Sequence, residues 1–111
     1  MNLNQLDLNL LILFDALYRH RSVTIAADDV HLSQSAFSHG LSRLRAKLSD
    51  ELFVRINNTM EPTPLAHDLA KNLAPALKQI HNSLNNSLEF NPATSEIELN
   101  FAATDYTQFS L

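Results

Sequence analysis

Apolar residues recur along this chain with a period near 3.6 in four stretches and near 2 in two others. The first stretch opens with Leu6 and Asp7. Asp7 is placed to cap a helix and Leu6 to staple onto Leu11, after which Leu10, Leu11, Phe14, Leu17 and Tyr18 follow at helical spacing as far as about Arg19. Ser22 is a cap for a second, short helix ending near His31, whose stripe of Ala26, Ala27 and Val30 is small enough for another helix to approach closely.

Ser33 caps a third helix whose two faces separate completely at about 100° per residue. Phe37, Leu41, Leu44 and Leu48 share one side; Ser35, Ser38, His39, Ser42 and Ala46 share the other, with Gln34 and Arg43 on its flanks. Ordinary solvated helix faces favour Glu and Lys in alternation. This one is built of short hydrogen-bonding groups and suits close approach to a groove.

Leu52 to Arg55 then reads as a strand, and Ile56-Asn57-Asn58-Thr59 as a tight turn, because Asn tolerates the positive φ such a turn needs. Met60-Glu61-Pro62 returns as an edge strand, where a proline is permitted. Thr63-Pro64 starts a long helix, a capping hydroxyl followed by proline at the first helical position. Leu65, Ala66, Leu69, Ala70, Leu73, Leu77, Ile80, Leu84 and Leu88 lie along its apolar stripe. At 1.5 Å per residue such a helix spans about 40 Å, more than one small domain covers, so part of the stripe calls for a partner. Pro75 removes one backbone hydrogen bond from its middle and predicts a bend. Residues 89–96 are polar and contain a proline, as a linker does, and Ile97, Leu99 and Phe101 alternate with Glu98 and Asn100 as in a half-buried strand. That strand finds no sheet before Leu111, so the sequence reads as a piece of a longer protein.

The fold class is therefore mainly α: a winged helix-turn-helix over residues 6–63, with a three-helix core and a two-stranded wing, followed by a long linker and dimerisation helix over 64–89. The helix-turn-helix spans about 23–42 and the wing about 52–62.

Composition narrows the chemistry. The absence of cysteine removes disulfides and Cys-based zinc fingers and suits a reducing compartment, with the cytoplasm expected. The apolar N-terminal stretch is interrupted by Asn9 and Asp15, so neither a signal peptide nor a membrane span is expected. The formal charge of -4 argues at first against nucleic acid, but its distribution changes the picture. Between residues 19 and 55, Arg19, Arg21, Arg43, Arg45, Lys47 and Arg55 face Asp28, Asp29, Asp50 and Glu51, a local excess of two positives. Electrostatic affinity per copy is then modest, and useful binding at cellular salt calls for two copies on one site.

The run from Arg21 to Ala66 resembles the N-terminal domain of LysR-type transcriptional regulators. The matching elements are Asn9-Leu10, Ser22 to Ala27, Leu32 to Ser38, Leu52 to Arg55 and Pro62-Thr63, and the resemblance covers about residues 6–90. Ala103-Thr104-Asp105-Tyr106 looks like part of the opening of that family's effector-binding domain, so residues 90–111 are read as a linker and the first strand of a truncated domain. The resemblance implies a homodimer through antiparallel linker helices, recognition helices in successive major grooves of double-stranded DNA, wings in the flanking minor grooves and interrupted palindromes as targets. It also implies tetramers at full length and a small-molecule effector acting only through the C-terminal domain. Two positions depart from the family: His39 and Asn58 stand where many members carry Arg, which puts direct transfer of base preferences in doubt.

The candidate DNA-binding residues are Ser33, Gln34, Ser35, Ser38, His39, Ser42, Arg43, Arg55, Asn57 and Asn58. The Gln34 amide suits bidentate reading of adenine, the serines bases or phosphates, Arg43 and Arg55 phosphates, and the asparagines the minor groove, beside a plain turn-making role. His39 reads equally as a contact and as an incidental surface group. Arg19, Arg21, Arg45 and Lys47 are read as solvated charges. Leu65, Leu69, Leu73, Leu77, Ile80 and Leu84 are the candidate dimerisation residues. No two of the five histidines lie three or four apart on one helix, and there is no Gly-x-Ser-x-Gly turn, so neither a metal, a cofactor nor an enzyme is expected. The competing reading is a helical dimerisation or protein-interaction module without specific DNA binding.

Overall fold

A computed structural model describes residues 2–89. After a single 3-10 turn at Leu3–Gln5 come α1 (Asn9–His20), α2 (Val23–Asp29), α3 (Gln34–Leu48), β1 (Phe53–Ile56), β2 (Thr59–Pro62) and α4 (Pro64–Glu89). The expected linker and strand beyond residue 89 lie outside the described residues.

Helices α2, α3 and α4 begin where a hydroxyl caps an orphan amide, whereas the cap position of α1 is Leu8, one residue after the expected Asp7, with no side-chain cap bond of its own. Asp7 Oδ1 accepts the Asn9 N–H at 2.9 Å, Ser22 Oγ that of Ile25 at 3.3 Å, Ser33 Oγ that of Ala36 at 3.0 Å and Thr63 Oγ1 that of Ala66 at 3.2 Å. Helices α1 and α3 end on Arg21 and Ser49 in the left-handed region, φ 60° and 52°, whose N–H groups return to the Leu17 and Arg45 carbonyls. The two turn asparagines carry φ of 51° and 65°, as the tight hairpin requires, and β1 pairs antiparallel with β2 from Phe53↔Pro62 to Ile56↔Thr59.

The three helices pack on one another around Phe14, Leu17, Phe37 and Leu44, all fully buried. The wing joins this core through Phe53, whose ring lies 5.4 Å from that of Phe14, and through Met60. The sequence reading missed two members of the core, Leu13 and Ala16 on α1. Leu13 packs against α3 where the chain's one glycine, Gly40, lets the helices close together. A β-carbon at Gly40 would sit 2.7 Å from Leu13 Cδ1 and 3.4 Å from Leu10 Cδ2.

The strand expected from Leu52 starts one residue later, at Phe53. Leu52 is fully buried with φ 64°, a left-handed conformation that costs a bulky residue about 1–3 kcal/mol and breaks the extended run. Its neighbours hold it there: its N–H donates to Asp50 Oδ2 at 2.8 Å and its carbonyl accepts the Thr63 N–H at 2.9 Å.

Helix α4 divides its apolar stripe. Ala66 and Ala70 are buried in the domain core, and Leu69 and Leu73 pack half-buried against it. Beyond Pro75, which the helix passes without interruption, Ile80 and Leu84 are more than half exposed. Leu69 and Leu73, expected in a dimer interface, are thus already partly covered within one copy. Leu65 is exposed at the other end of the helix and Leu77 half-buried. Tyr18 ties α4 to α1, its hydroxyl 2.9 Å from His67 Nδ1.

Candidate nucleic-acid interface

Helix α3 presents its polar side outward. Gln34, Ser35, Ser38, His39, Ser42 and Arg43 are all exposed, while Phe37, Leu41 and Leu44 on the opposite side are at most 3% exposed. Gln34, Ser38 and Ser42 recur at intervals of four, as do Ser35, His39 and Arg43, so they form two neighbouring rows along the helix. Short side chains in adjacent rows leave the helix barrel free to enter a groove about 12 Å wide. Ser33 stands at the head of these rows with its hydroxyl oxygen engaged in the cap, leaving its proton to donate outward.

The wing supplies the second part. Arg55 is exposed and stands across from Met60, one residue pair further from the tip than Ile56↔Thr59. Asn57 and Asn58 form the tip, exposed, with their positive φ showing that the turn depends on them whatever else they contact. The structure therefore brings all ten candidate residues to the surface, six of them on one helix face and three on the wing.

Three arginines expected as solvated charges without contacts have partners within the chain, although Arg19 stays exposed. Arg19 Nε donates to Asp15 Oδ2 at 2.9 Å and its Nη2 to Asp29 Oδ2 at 3.2 Å, and His20 Nε2 lies 3.0 Å from the same Asp29 oxygen. Arg21 Nε donates to the Tyr18 carbonyl at 2.7 Å, with its guanidinium 4.7 Å from the Tyr18 ring centre, and its own carbonyl accepts the Met60 N–H at 3.0 Å. Arg45 donates to the carbonyls of Glu51 at 2.6 Å and Phe53 at 2.8 Å. Apart from the Arg19–Asp15 pair, which has i,i+4 spacing on α1, counting charges along a sequence cannot reveal such contacts, because their acceptors are backbone carbonyls or lie on other elements. Arg43, Lys47 and Arg55, by contrast, make no ion pair among the described residues. Lys71 and Lys78 on α4 likewise make none, so on the helix-turn-helix and the wing the cations left to meet an external anion are Arg43, Lys47 and Arg55.

Among the described residues no three His, Asp or Glu side chains gather as a metal site, and no helix is long and apolar enough to cross a membrane.

A helix-turn-helix with an exposed second helix and an adjoining hairpin defines the class of winged helix-turn-helix DNA-binding domains. Residues 8–67 match the family model of the bacterial regulatory helix-turn-helix proteins of the lysR type, and the chain belongs to that family. It is 45% identical over 105 residues to the HTH-type transcriptional activator NahR of Pseudomonas putida, covering 95% of this chain and 35% of that protein. It is 41% identical over 106 residues to Nodulation protein D 2 of Rhizobium tropici, covering 96% of this chain and 34% of the relative. The chain thus spans about a third of the length of the curated relatives it matches. Among solved structures, that of "probable transcriptional regulator PA0477" from Pseudomonas aeruginosa superimposes with a TM-score of 0.74 at 54% identity, over 76% of this chain and 28% of that one. The BenM DBD of a benA site 1 DNA complex shares the fold at 22% identity, with a TM-score of 0.68 over 77% of this chain and 99% of that one. The chain therefore carries the DNA-binding domain of a LysR-type transcriptional regulator.

Proposed function

We propose that two copies of this chain bind one interrupted palindrome, each placing α3 in the major groove and its wing in the flanking minor groove. The observation that carries this reading is the exposed amide-and-hydroxyl face from Gln34 to Ser42, backed by the buried Phe37, Leu41 and Leu44 and accompanied by Arg43 and Arg55, which make no ion pair among the described residues. Gln34 is assigned to a base edge, Ser33, Ser35, Ser38 and Ser42 to bases or phosphates, His39 to the same groove, Arg43 and Arg55 to phosphates, and Asn57 and Asn58 to the minor groove.

Dimerisation is assigned to the outer part of α4. Ile80 and Leu84 are 53% and 55% exposed, and a continuous apolar strip of this kind on a helix that has left its domain is covered by a second copy. The electrostatics point the same way. With Arg19, Arg21 and Arg45 bound internally, few cations remain per copy, so affinity depends on joining two half-sites. The function is regulation through DNA rather than catalysis. Residues 64–89 serve as the link to the remaining two thirds of a protein the length of its relatives, where a small-molecule effector and tetramer contacts would act.

Selection of bound duplexes from a random library, followed by mobility-shift titration at several salt concentrations, tests this. The expected product is an inverted repeat bound less tightly as salt rises. A chain that enriches no sequence, or whose binding ignores salt, would refute it.

A further inference from the structure

We infer that Arg45 is a positioning residue for DNA binding: it touches no DNA and sets the direction in which the wing leaves the recognition helix. The inference rests on the assignment of the wing to DNA. Arg45 sits in the last turn of α3, between the apolar side and the row of Gln34, Ser38 and Ser42, half-buried, with its side chain 31% exposed and its guanidinium turned to the backbone of the following turn. Its backbone carbonyl accepts the N–H groups of Ser49 and, at 3.2 Å, Asp50, which closes the helix. Its guanidinium then reaches over the turn just closed and donates to the carbonyls of Glu51 and Phe53, at 2.6 and 2.8 Å. One residue therefore binds the helix end, the turn and the first residue of β1.

The segment so held is also tied from its other side by Asp50 and Thr63, which bond the Leu52 N–H and carbonyl, whereas Arg45 links it to α3. It includes two departures from ordinary backbone three residues apart, Ser49 at φ 52° and Leu52 at φ 64°, and Leu52 in particular would relax toward extended geometry if its surroundings allowed. The planar fork of an arginine suits two carbonyls separated by one residue better than the point charge of a lysine does. The Glu51 carboxylate adds little, since its Oε1 is 3.9 Å from Arg45 Nε and the side chain is 72% exposed. A change of angle at this joint is multiplied along the hairpin, so that Arg55 and the Asn57-Asn58 tip would miss a phosphate or groove that α3 still finds.

Hydroxyl-radical footprinting on a duplex obtained by selection with the wild-type chain separates the two contributions. The wild type protects the backbone both around the central major-groove contacts and at the outer flanks facing the wings. Arg45→Met should keep the central protection, lose most of the flanking protection and bind about tenfold more weakly, the equivalent of one lost charge-assisted contact. Arg55→Ala should cost much less in the Arg45→Met background than in the wild type, because the wing is then already displaced. Arg45→Lys should fall between the two. Flanking protection unchanged in Arg45→Met overturns the inference; if that variant does not fold, unchanged protection in Arg45→Lys does so. A wild type that protects no duplex refutes the DNA reading itself, which distinguishes the two failures.

Discussion

The Asp50 carboxylate accepts the hydroxyl proton of Thr63 at 2.7 Å, thirteen residues away, while the same Thr63 oxygen caps α4 through the Ala66 N–H. Asp50 Oδ2 also receives the Leu52 N–H. The entrance to the wing and the entrance to the long helix are therefore held by one pair of side chains. Thr63→Val, which retains the branched shape but removes the hydroxyl, should lower stability by about 1–2 kcal/mol. Asp50→Ala should cost a comparable amount, and the double variant less than the sum, because each single change already removes the shared bond. Urea denaturation midpoints followed by circular dichroism check this; strict additivity would show that the two groups act separately.

Gly40 marks the closest approach of α3 to α1. An added methyl would meet Leu13 Cδ1 at 2.7 Å, and Leu13 is itself 4% exposed and unable to swing into solvent. Overpacking of this kind costs about 1–3 kcal/mol, partly offset by about 1 kcal/mol of better helix propensity in alanine. Gly40→Ala is expected to be net destabilising by about 1 kcal/mol. A thermal melt showing an unchanged or raised midpoint would mean that Leu13 finds another rotamer without loss.

Two substitutions on the interface should fail in different ways. Gln34→Ala removes an amide suited to a base edge and should relax discrimination between sequences, weakening the selected duplex by about 1–3 kcal/mol while leaving unrelated DNA nearly unaffected. Arg55→Ala removes a cation with no partner among the described residues and should weaken all duplexes alike, reducing the salt slope by about one. Binding isotherms on selected and scrambled duplexes over a salt series separate these outcomes.

The exposed end of α4 can be tested without disturbing the domain, since Ile80 and Leu84 contribute nothing to its core. Ile80→Glu combined with Leu84→Glu should leave the melting of the winged domain close to wild type. The same variant should sediment as a monomer and lose the tight two-site complex with DNA, falling back to the weak affinity of a single half-site. A dimer that survives both charges would move the interface elsewhere.

Much of the fold could be read from local signals because local physics sets them. Ser22, Ser33 and Thr63 cap helices wherever their hydroxyls precede an apolar run, and an Asn pair between two short extended segments turns the chain back. The outward face of α3 was equally visible, since a helix with Phe37, Leu41 and Leu44 on one side must place Ser35, Ser38 and Ser42 on the other. The start of β1 was misplaced by one residue, because nothing adjacent to Leu52 announces a left-handed leucine held by Asp50 and Thr63.

By itself, then, the amino-acid order determined the elements, their amphipathic faces and the residues offered to DNA, all consequences of spacing at 3.6 or 2 residues. Only the tertiary structure decided which charges remain available. Arg19, Arg21 and Arg45 are identical in kind to Arg43 and Arg55, and are engaged by Asp29, Glu61 and the Phe53 carbonyl, which folding brings to them from other elements. It likewise divided the stripe of α4 into a half that completes the domain and a half left for a second copy, because how far a core reaches depends on where the other helices lie.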